Sequence, residues 1–476
     1  MENDWHDPRH ETREWGGPWA DVRDPATCER IGRVPDQGPV EARDAADRAA
    51  LAQPSWGKRA PRERSDLLRR AHELILREKS SLTELIVSEN GKAYADAESE
   101  VVYAAEFFRW FAEESVRTGG SYGSDPGGRA RSVVTHRPVG VAALVTPWNF
   151  PAAMPARKIA PALAAGCTVV LKPPIETPLT ALALLAILRE AGIPEGVVNI
   201  VTTQRASEVV SAWMDDVRVR KISFTGSTRV GSLLLTQAAR RIVNASMELG
   251  GNAPFIVCPD ADLERAVEGA MIAKFRNGGQ ACTAANRFYV HEDVAEQFVD
   301  LLATMVRNLS VGPAVDGCNI GPLISSAAVS TLSKVVDDAL EQGARVAARA
   351  DPHEGPGHFF TPLVLVEVSP DAAILDVELF GPVAPIVTWR HESDLIAMTN
   401  RPELGLAAYI YAGRLQTAMR LAESLEAGMV GINRGVVSDP SAPFGGMKQS
   451  GLGREGARAG LEEFQETQYF SLDLGV

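Results

Sequence analysis

The chain has 476 residues, enough for two or three domains at roughly 150 residues each. Its 48 Lys and Arg against 61 Asp and Glu give a formal net charge of −13, which argues against nucleic-acid binding because no basic tract is present. The five cysteines lack CxxC spacing, so we expect no disulfide framework, no bound metal and a reducing, cytoplasmic location. The charged N-terminus has no signal-peptide core, and no run approaches the ~18 apolar residues of a membrane span.

Helices are predicted between about residues 61 and 117. Apolar residues such as Leu67, Leu74 and Leu82 recur there at mixed spacings, with charged residues between them. This pattern predicts amphipathic packing helices. The glycine-rich stretch 119–128 then predicts a turn region that begins an excursion from the domain.

From Val139 the sequence alternates between apolar strands and helical segments. VGVAALVTP, TVVLKP, VVNIVT, KISFTG and FIVC are strand-like, and the segments between them have the length of helices. Alternation of this kind is typical of βαβ units around a buried parallel sheet. It predicts an α/β dinucleotide-binding fold, although no GxGxxG is present.

A second α/β pattern follows and continues to about Gly431. DADLERAVEGAMIAKF is predicted to be a helix capped by Asp260, with the Gly278–Gly279 pair as its stop signal. RFYVHE is predicted to be a strand. The last segment, residues 462–476, is strand-like and is expected to pair with the excursion or with the sheet of a neighbouring chain.

Three residues are candidates for chemistry. Cys282 lies in a glycine-rich polar loop, whereas Cys167 and Cys258 lie in apolar strand texture typical of buried structural thiols. Glu248 ends a strand before a Gly-Gly pair, which suits a general base in an apolar cleft, or else a capping or ion-paired carboxylate. Asn149 follows a strand and is either an oxyanion donor or a turn residue.

Two further segments suit a phosphate-bearing ligand. Lys172 ends a strand before two prolines, where an ammonium can reach a ribose or a phosphate. FTGSTRVG places Gly226 and Gly231 between a strand and a helix, so that backbone N–H groups at the helix start can face a pyrophosphate. Each signal is weak alone, and their order along one chain strengthens them.

PWNFP, LKPPIETP, FTGSTRVG, ELGGNAP, GGQACTAANR, ELFGPV and PFGGMKQSGLGRE together resemble the aldehyde dehydrogenase superfamily over residues 61–475. The resemblance implies that Cys282 attacks an aldehyde and that Asn149, with the backbone N–H of Cys282, forms the oxyanion hole. Hydride then passes to a nicotinamide, and Glu248 activates the water that hydrolyses the thioester. A thiol esterase is a less favoured alternative, because none of the eight histidines lies in these motifs.

The resemblance also implies a binding site for NADP or NAD. The matching positions are Thr146, Pro147, Trp148, Lys172, Ile175, Glu176, Gly226, Ser227, Gly231, Leu249, Glu378 and Phe380. NAD-preferring members usually carry an acid where this chain has Ile175, and that acid repels a 2′-phosphate. Its absence favours NADP, although Glu176 is placed to restore a preference for NAD.

Within the superfamily the chain most resembles the succinate-semialdehyde dehydrogenases. Arg157, Arg276 and Ser438 match positions that hold the distal carboxylate of the substrate, which guanidinium groups bind by charge-assisted hydrogen bonds. Two alternatives stay open: the arginines form structural ion pairs, or the substrate is another aldehyde, aromatic or aliphatic. Asp439 and Pro440 beside Ser438 are less typical of the subgroup.

The resemblance implies three parts. A cofactor domain of Rossmann type is expected over residues 1–248, interrupted at about 118–137 by a small β element for oligomerisation. An α/β catalytic domain is expected over residues 249–435, and residues 436–476 return to the cofactor domain and end in an oligomerisation tail. We expect a homodimer or homotetramer without nucleic-acid or membrane partners.

Overall fold

The computed structural model describes residues 16–473; the first fifteen residues of the expected cofactor domain and the last three of the expected tail lie outside this range. Its helices are α1 (Pro39–Lys58), α2 (Pro61–Arg77), α3 (Lys79–Asn90), α4 (Tyr94–Ser115), α5 (Ala153–Ala165), α6 (Leu179–Glu190), α7 (Ala206–Asp215), α8 (Thr228–Ala239), α9 (Leu263–Phe275), α10 (Ala295–Arg307), α11 (Ser326–Glu341), α12 (Glu392–Asn400), α13 (Leu415–Ser424) and α14 (Ala457–Glu462).

The strands alternate with these helices along most of the chain. They are β1 (Trp19–Arg23), β2 (Arg30–Pro35), β3 (Ser121–Ser124), β4 (Arg131–Pro138), β5 (Val141–Val145), β6 (Thr168–Lys172), β7 (Val198–Ile200), β8 (Val219–Thr225), β9 (Asn244–Glu248), β10 (Ala253–Val257), β11 (Ala285–His291), β12 (Arg345–Arg349), β13 (Leu363–Val366), β14 (Val383–Trp389), β15 (Leu404–Gly405), β16 (Ala407–Tyr411), β17 (Met429–Ile432), β18 (Met447–Lys448), β19 (Gly451–Leu452) and β20 (Gln465–Leu472). The α/β prediction is confirmed.

The first large sheet has the strand order β19-β9-β8-β5-β6-β7. Strands β5 to β9 run parallel, and β19 pairs antiparallel with β9. Every residue of β5 and of β6 is buried, because helices cover both faces of the sheet. The carboxyl ends of these strands therefore meet at one edge, where ligands bind in open α/β sheets.

The second large sheet has the order β12-β13-β14-β11-β10-β16-β17 and is parallel except for β12. Its core includes a stack of aromatic rings around Phe255, whose ring lies 5.1 Å from those of Phe288 and Tyr411. Strand β11 begins three residues after Cys282, so this sheet fixes one end of the cysteine loop.

A third sheet joins distant parts of the chain in the order β20-β4-β3. All eight residues of β20 pair antiparallel with β4, from Gln465 opposite Pro138 to Leu472 opposite Arg131. The C-terminal strand thus pairs with the excursion of its own chain, one of the two pairings that the sequence left open.

The prediction for the start of α9 is wrong by two residues. Asp262 caps this helix, since its carboxylate accepts a hydrogen bond from the backbone N–H of Arg265 at 3.2 Å. Asp260 instead accepts from the backbone N–H of Arg414 at 3.1 Å, a contact that the local sequence could not reveal. No helix within residues 16–473 is both long and apolar enough to cross a membrane.

Candidate active site

A cavity of about 530 Å³ brings together twelve of the eighteen predicted site residues. They are Pro147, Trp148, Asn149, Arg157, Gly226, Ser227, Leu249, Arg276, Cys282, Glu378, Phe380 and Ser438. The other six, which are not among the residues that line it, are Thr146, Lys172, Ile175, Glu176, Gly231 and Glu248.

The loop that carries Cys282 is held by close backbone contacts. It follows a short 3-10 helix, Arg276–Gly279, in which Asn277, Gly278 and Gly279 all have positive φ. Gly251 packs so closely that a Cβ there would overlap the carbonyl oxygen of Cys282. Because Gly251 has no side chain, the loop of Cys282 packs directly against the backbone at Gly251.

Asn149 is hydrogen-bonded to the same loop. Its Nδ2 donates to the carbonyl oxygen of Gln280 at 3.0 Å, and Nδ2 of Asn277 donates to the backbone oxygen of Asn149 at 3.0 Å. The Asn149 side chain is only 4% exposed. These contacts fix its amide beside Cys282, where an N–H donor can stabilise an oxyanion.

A buried ion pair contacts the backbone of Asn149, and the sequence analysis did not predict it. Nζ of Lys92 lies 2.6 Å from Oε2 of Glu100 and donates at 2.8 Å to the backbone oxygen of Asn149. Oε1 of Glu100 accepts from the backbone N–H groups of Ala152 and Ala153 at the start of α5. No local motif reveals the contact, because Lys92 and Asn149 are 57 positions apart.

Glu248 ends β9 and is 3% exposed. Burial raises the pKa of Glu248 well above its ordinary value, and the carboxylate of Glu455 raises it further, while Lys158 opposes them. Nζ of Lys158 lies 2.5 Å from Oε1 of Glu455. A carboxyl with a raised pKa binds a proton more readily than an ordinary carboxyl, which suits a general base. The sequence did not single out Glu455 or Lys158.

The Cys282 thiol has a strongly perturbed acidity. Burial and, to a smaller extent, the Glu378 charge raise the pKa of Cys282 to about 12, against the opposing effect of the Arg157 guanidinium. The resting thiol is therefore protonated at neutral pH and needs a proton acceptor to become a nucleophile. Among the described residues that line the cavity none is a histidine, which disfavours the thiol esterase.

The strand ends next to the cavity fit a dinucleotide. Oγ1 of Thr146 and of Thr225 are buried, and neither has a hydrogen-bond partner within the described chain. Ser227 caps α8, and its side chain accepts from the backbone N–H of Val230. Gly226 lies against the ring of Phe224, where a Cβ would come within 2.5 Å. Unpaired donors, a tight glycine turn and a helix start together suit a pyrophosphate and ribose.

Other predicted cofactor residues flank this region. Gly231 lets α8 pack on Leu249, because a Cβ there would come within 2.5 Å of the leucine side chain. Lys172 ends β6, and burial lowers the pKa of its ammonium while Glu176 opposes that change. Ile175 is half-buried against the small core around Leu179, and Glu176 is exposed.

The three predicted substrate residues all line the cavity, but their neighbours differ. Arg157 stacks on the ring of Phe444 at 3.9 Å, lies 3.6 Å from a Glu455 oxygen and donates to the hydroxyl of Tyr103. Tyr103 and Ser438 line the same cavity. The structural ion pair considered for the arginines is thus present at Arg157.

Arg276 has a different environment. No carboxylate lies within 4.0 Å of its guanidinium in the described part of the chain, and its nearest ring partner is Phe150 at 5.7 Å. A cation that lines a cavity without a counter-ion is suited to an anionic ligand. In residues 16–473, no group of three or more His, Cys, Asp or Glu side chains is placed to hold a metal ion.

Comparison with known proteins gives one consistent result. The model of the aldehyde dehydrogenase family matches residues 14–470. A succinate-semialdehyde dehydrogenase of Paenarthrobacter nicotinovorans is 49% identical, covering 90% of this chain and 95% of the relative. An NADP(+) succinate-semialdehyde dehydrogenase of Escherichia coli (strain K12) is 47% identical, covering 97% and 96%. A crystal structure of an NADP-dependent E. coli enzyme has a TM-score of 0.94 at 46% identity, covering 96% and 95%.

The high pKa of Cys282 predicts how the free enzyme reacts with iodoacetamide. Alkylation of Cys282 should be slow at pH 7 and rise about tenfold per pH unit up to pH 10, because only the thiolate reacts. Site-resolved mass spectrometry measures the rate, with exposed Cys28 as the internal control that reacts faster at neutral pH. A plateau below pH 9 would contradict the raised pKa of this thiol.

Proposed function

The chain belongs to the aldehyde dehydrogenase family, and on that premise we propose that it oxidises succinate semialdehyde to succinate with NADP or NAD. The observation that carries the substrate is the Arg276 guanidinium, which lines the cavity of Cys282 without a carboxylate partner among residues 16–473. Such a cation favours an aldehyde with a carboxylate at its far end. The similarity to succinate-semialdehyde dehydrogenases supports the same substrate.

Cys282 attacks the aldehyde carbon once its thiol has given its proton to Glu248, whose charge acts on this thiol, and Glu248 releases that proton to solvent before the thioester is hydrolysed. The Asn149 amide and the backbone N–H of Cys282 stabilise the oxyanion of the thiohemiacetal, a contribution of about 3–4 kcal/mol for one donor. When bound, the nicotinamide supplies the hydride acceptor, and a thioester is left on Cys282. Glu248 then takes a proton from water, which hydrolyses the thioester. Its raised pKa makes the Glu248 carboxylate a stronger base than an ordinary carboxylate.

The cofactor is placed by residues at the strand ends. Lys172, Ser227 and the glycine turn at Gly226 are proposed to hold the phosphates and adenosine ribose, and Glu378 the nicotinamide ribose. The Glu378 carboxylate lines the cavity together with Phe380, whose ring lies 5.5 Å from that of Trp148. These residues fit a nicotinamide dinucleotide because they combine hydrogen-bond donors, an acceptor and flat apolar surfaces.

We propose that the two arginines have different roles in substrate binding. Arg276 binds the distal carboxylate directly. Arg157 already lies beside Glu455, so that its charge is partly compensated, and with Tyr103 and Ser438 it shapes the neighbouring wall. The second candidate substrate is glutarate semialdehyde, the next longer acid aldehyde. A glutarate-semialdehyde dehydrogenase of Pseudomonas putida is 47% identical to this chain, and the match covers 95% of this chain and 94% of the relative.

Arg276→Ala should raise KM for succinate semialdehyde about tenfold to hundredfold, since a hydrogen bond to a charged group contributes about 1.5–3 kcal/mol. Oxidation of butanal, which has no carboxylate, should change little. Steady-state kinetics with both aldehydes measure the difference. Arg390→Ala, which removes an exposed arginine paired with Glu292, serves as the control. An unchanged KM for the acid aldehyde would refute the carboxylate clamp.

Glutarate semialdehyde is the third substrate in this assay. A higher kcat/KM for it than for succinate semialdehyde would assign the longer acid.

Ile175→Glu should lower kcat/KM with NADP about tenfold or more while changing NAD less, because a carboxylate near a 2′-phosphate adds a like-charge repulsion of about 1–4 kcal/mol. Ile175→Gln is the matched control, because glutamine has the size of glutamate without its charge. A rate comparison with both cofactors measures the preference. If Glu176→Gln strongly improves NADP use instead, then Glu176 is the residue that sets the preference.

We propose a homodimer or homotetramer built through the small sheet. Tyr122 is 68% exposed and Tyr469 59% exposed, on β3 and β20, and both strands are edges of that sheet. Exposed aromatic side chains on edge strands favour pairing with another chain. Gel filtration with light scattering should give the mass of two or four chains, and a stable monomer would contradict the proposal.

The proposed domains follow the two large sheets. Residues 1–248, with the return of 436–476, are proposed to hold the cofactor, and residues 249–435 to present Cys282.

All five cysteines are free, which supports a reducing, cytoplasmic location.

A further inference from the structure

Asn277 is a buried residue of the short 3-10 helix before Cys282, and the proposed chemistry does not use it. It is 2% exposed and is not among the residues that line the cavity. Its φ of 55° lies in the left-handed region, which asparagine tolerates better than most residues and which glycine adopts freely. Gly278 and Gly279 share that conformation without a side chain. Backbone geometry alone therefore does not explain why an amide stands at position 277.

The Asn277 amide joins the two segments that form the proposed oxyanion hole. Its Nδ2 donates to the backbone oxygen of Asn149 at 3.0 Å and to that of Gln280 at 3.1 Å. Asn149 carries the side-chain donor of the hole, and Gln280 lies two residues before Cys282, which carries the backbone donor. One side chain therefore bonds to both halves of the oxyanion hole.

The orientation of the Asn149 amide depends on the same backbone oxygen of Gln280. That oxygen accepts from Nδ2 of Asn149 at 3.0 Å as well as from Nδ2 of Asn277. Oδ1 of Asn149 and Oδ1 of Asn277 are buried and have no hydrogen-bond partner within residues 16–473, so each amide is held through its Nδ2 group. Since Nδ2 carries two hydrogens and Gln280 takes one of them, the second N–H of Asn149 is left for an oxyanion.

Asn277 is anchored independently of Asn149. Its backbone N–H donates to Oδ2 of Asp96 at 2.7 Å, and its carbonyl accepts from the backbone N–H of Gln280 at 3.0 Å. Lys92 contacts the same oxygen of Asn149 from the segment between α3 and α4. Asn277 contacts it from the side of the cysteine loop, so Asn277 sets the spacing between that loop and Asn149.

We propose that Asn277 is a positioning residue for the oxyanion hole. Its amide sets the distance and orientation at which the Asn149 side chain and the Cys282 N–H meet on the substrate oxygen, without touching the substrate. The inference rests on the proposed oxyanion role of Asn149. A merely structural Asn277, by contrast, would serve only as a residue that accepts a positive φ, and glycine would replace it.

Asn277→Gly is the test, because glycine keeps the positive φ and removes the amide. We expect kcat/KM to fall about tenfold to hundredfold with succinate semialdehyde and with butanal alike, because the oxyanion hole serves every aldehyde. The Kd of NADP, measured by the quenching of tryptophan fluorescence, should stay at the wild-type value and report a folded cofactor site. Wild-type activity of this variant would overturn the proposal. A loss confined to succinate semialdehyde would assign Asn277 to the neighbouring Arg276 and would also overturn it.

A double-mutant cycle separates the positioning of the amide from a general weakening of the loop. In the Asn149→Ala background, Asn277→Gly should lower kcat/KM by no more than about threefold, because the amide that Asn277 positions is already gone. The same fold-loss in both backgrounds would show that Asn277 acts without Asn149, and the proposal would fail.

Asn277→Asp is the second variant, and it replaces Asn277→Gly if that protein does not fold. Aspartate also tolerates a positive φ, but its carboxylate cannot donate to either backbone oxygen. It should therefore lose activity as Asn277→Gly does, whereas full activity of Asn277→Asp would refute the positioning role.

Asn433→Gly is the matched control. Asn433 has a φ of 51°, and its Nδ2 donates to the backbone oxygen of Ala412 at 3.1 Å, away from the residues that line the cavity. This variant removes an equally anchored amide and should keep the wild-type kcat/KM with butanal. A loss as large as that of Asn277→Gly would assign both amides to structure and overturn the proposal.

Failure of the proposed function gives a different result. If Asn149→Ala is as active as the wild type with both aldehydes, Asn149 is not the oxyanion donor. That outcome removes the target of Asn277 and overturns both ideas. If Asn149→Ala is impaired and Asn277→Gly is not, the proposed function stands and only the role of Asn277 fails.

Discussion

Lys92 and Glu100 form an ion pair whose side chains have no exposure to solvent. The carboxylate of Glu100 takes two backbone N–H groups at the start of α5, and the ammonium of Lys92 takes the backbone oxygen of Asn149. One pair thus fixes the loop between β5 and α5, which carries Asn149, and the start of α5, the helix that contains Arg157. Removing one partner of such a pair leaves a buried charge and typically costs about 3–5 kcal/mol. The active-site geometry depends on it.

Three carboxyl groups, Glu248, Glu378 and Glu455, all raise the pKa of one thiol. A site built for stability would avoid this arrangement, since each buried carboxylate disfavours the charge of the others. Two cations, Arg157 and Lys158, lie next to Glu455 and oppose this effect. Burial and these neighbours shift the pKa values of Glu248, Glu378 and Cys282 upward, and perturbed pKa values of this kind cluster at functional sites.

Most of the site residues were predicted from short sequence motifs. Asn149, Lys172 and Gly226 lie at or just after the carboxyl ends of parallel strands, as the alternation of strands and helices predicted. Strand ends are predictable because the direction of a parallel sheet places them all at one edge. The prediction for Arg157 covered only part of its environment, because its partner Glu455 is almost 300 positions away. Asp260 was misassigned for the same reason, since Arg414 engages it from a remote segment.

The sequence by itself determined the fold class and the family resemblance and led to Cys282 as the proposed nucleophile, because these depend on periodicity and on motifs of a few adjacent residues. Only the tertiary structure decided that Arg276 has no carboxylate partner among residues 16–473 while Arg157 has one, and that β20 pairs with β4 of its own chain. It alone paired buried Lys92 with Glu100 and buried Lys158 with Glu455. The charge state of a buried group depends on neighbours from several elements, and their distances exist only once the chain has packed.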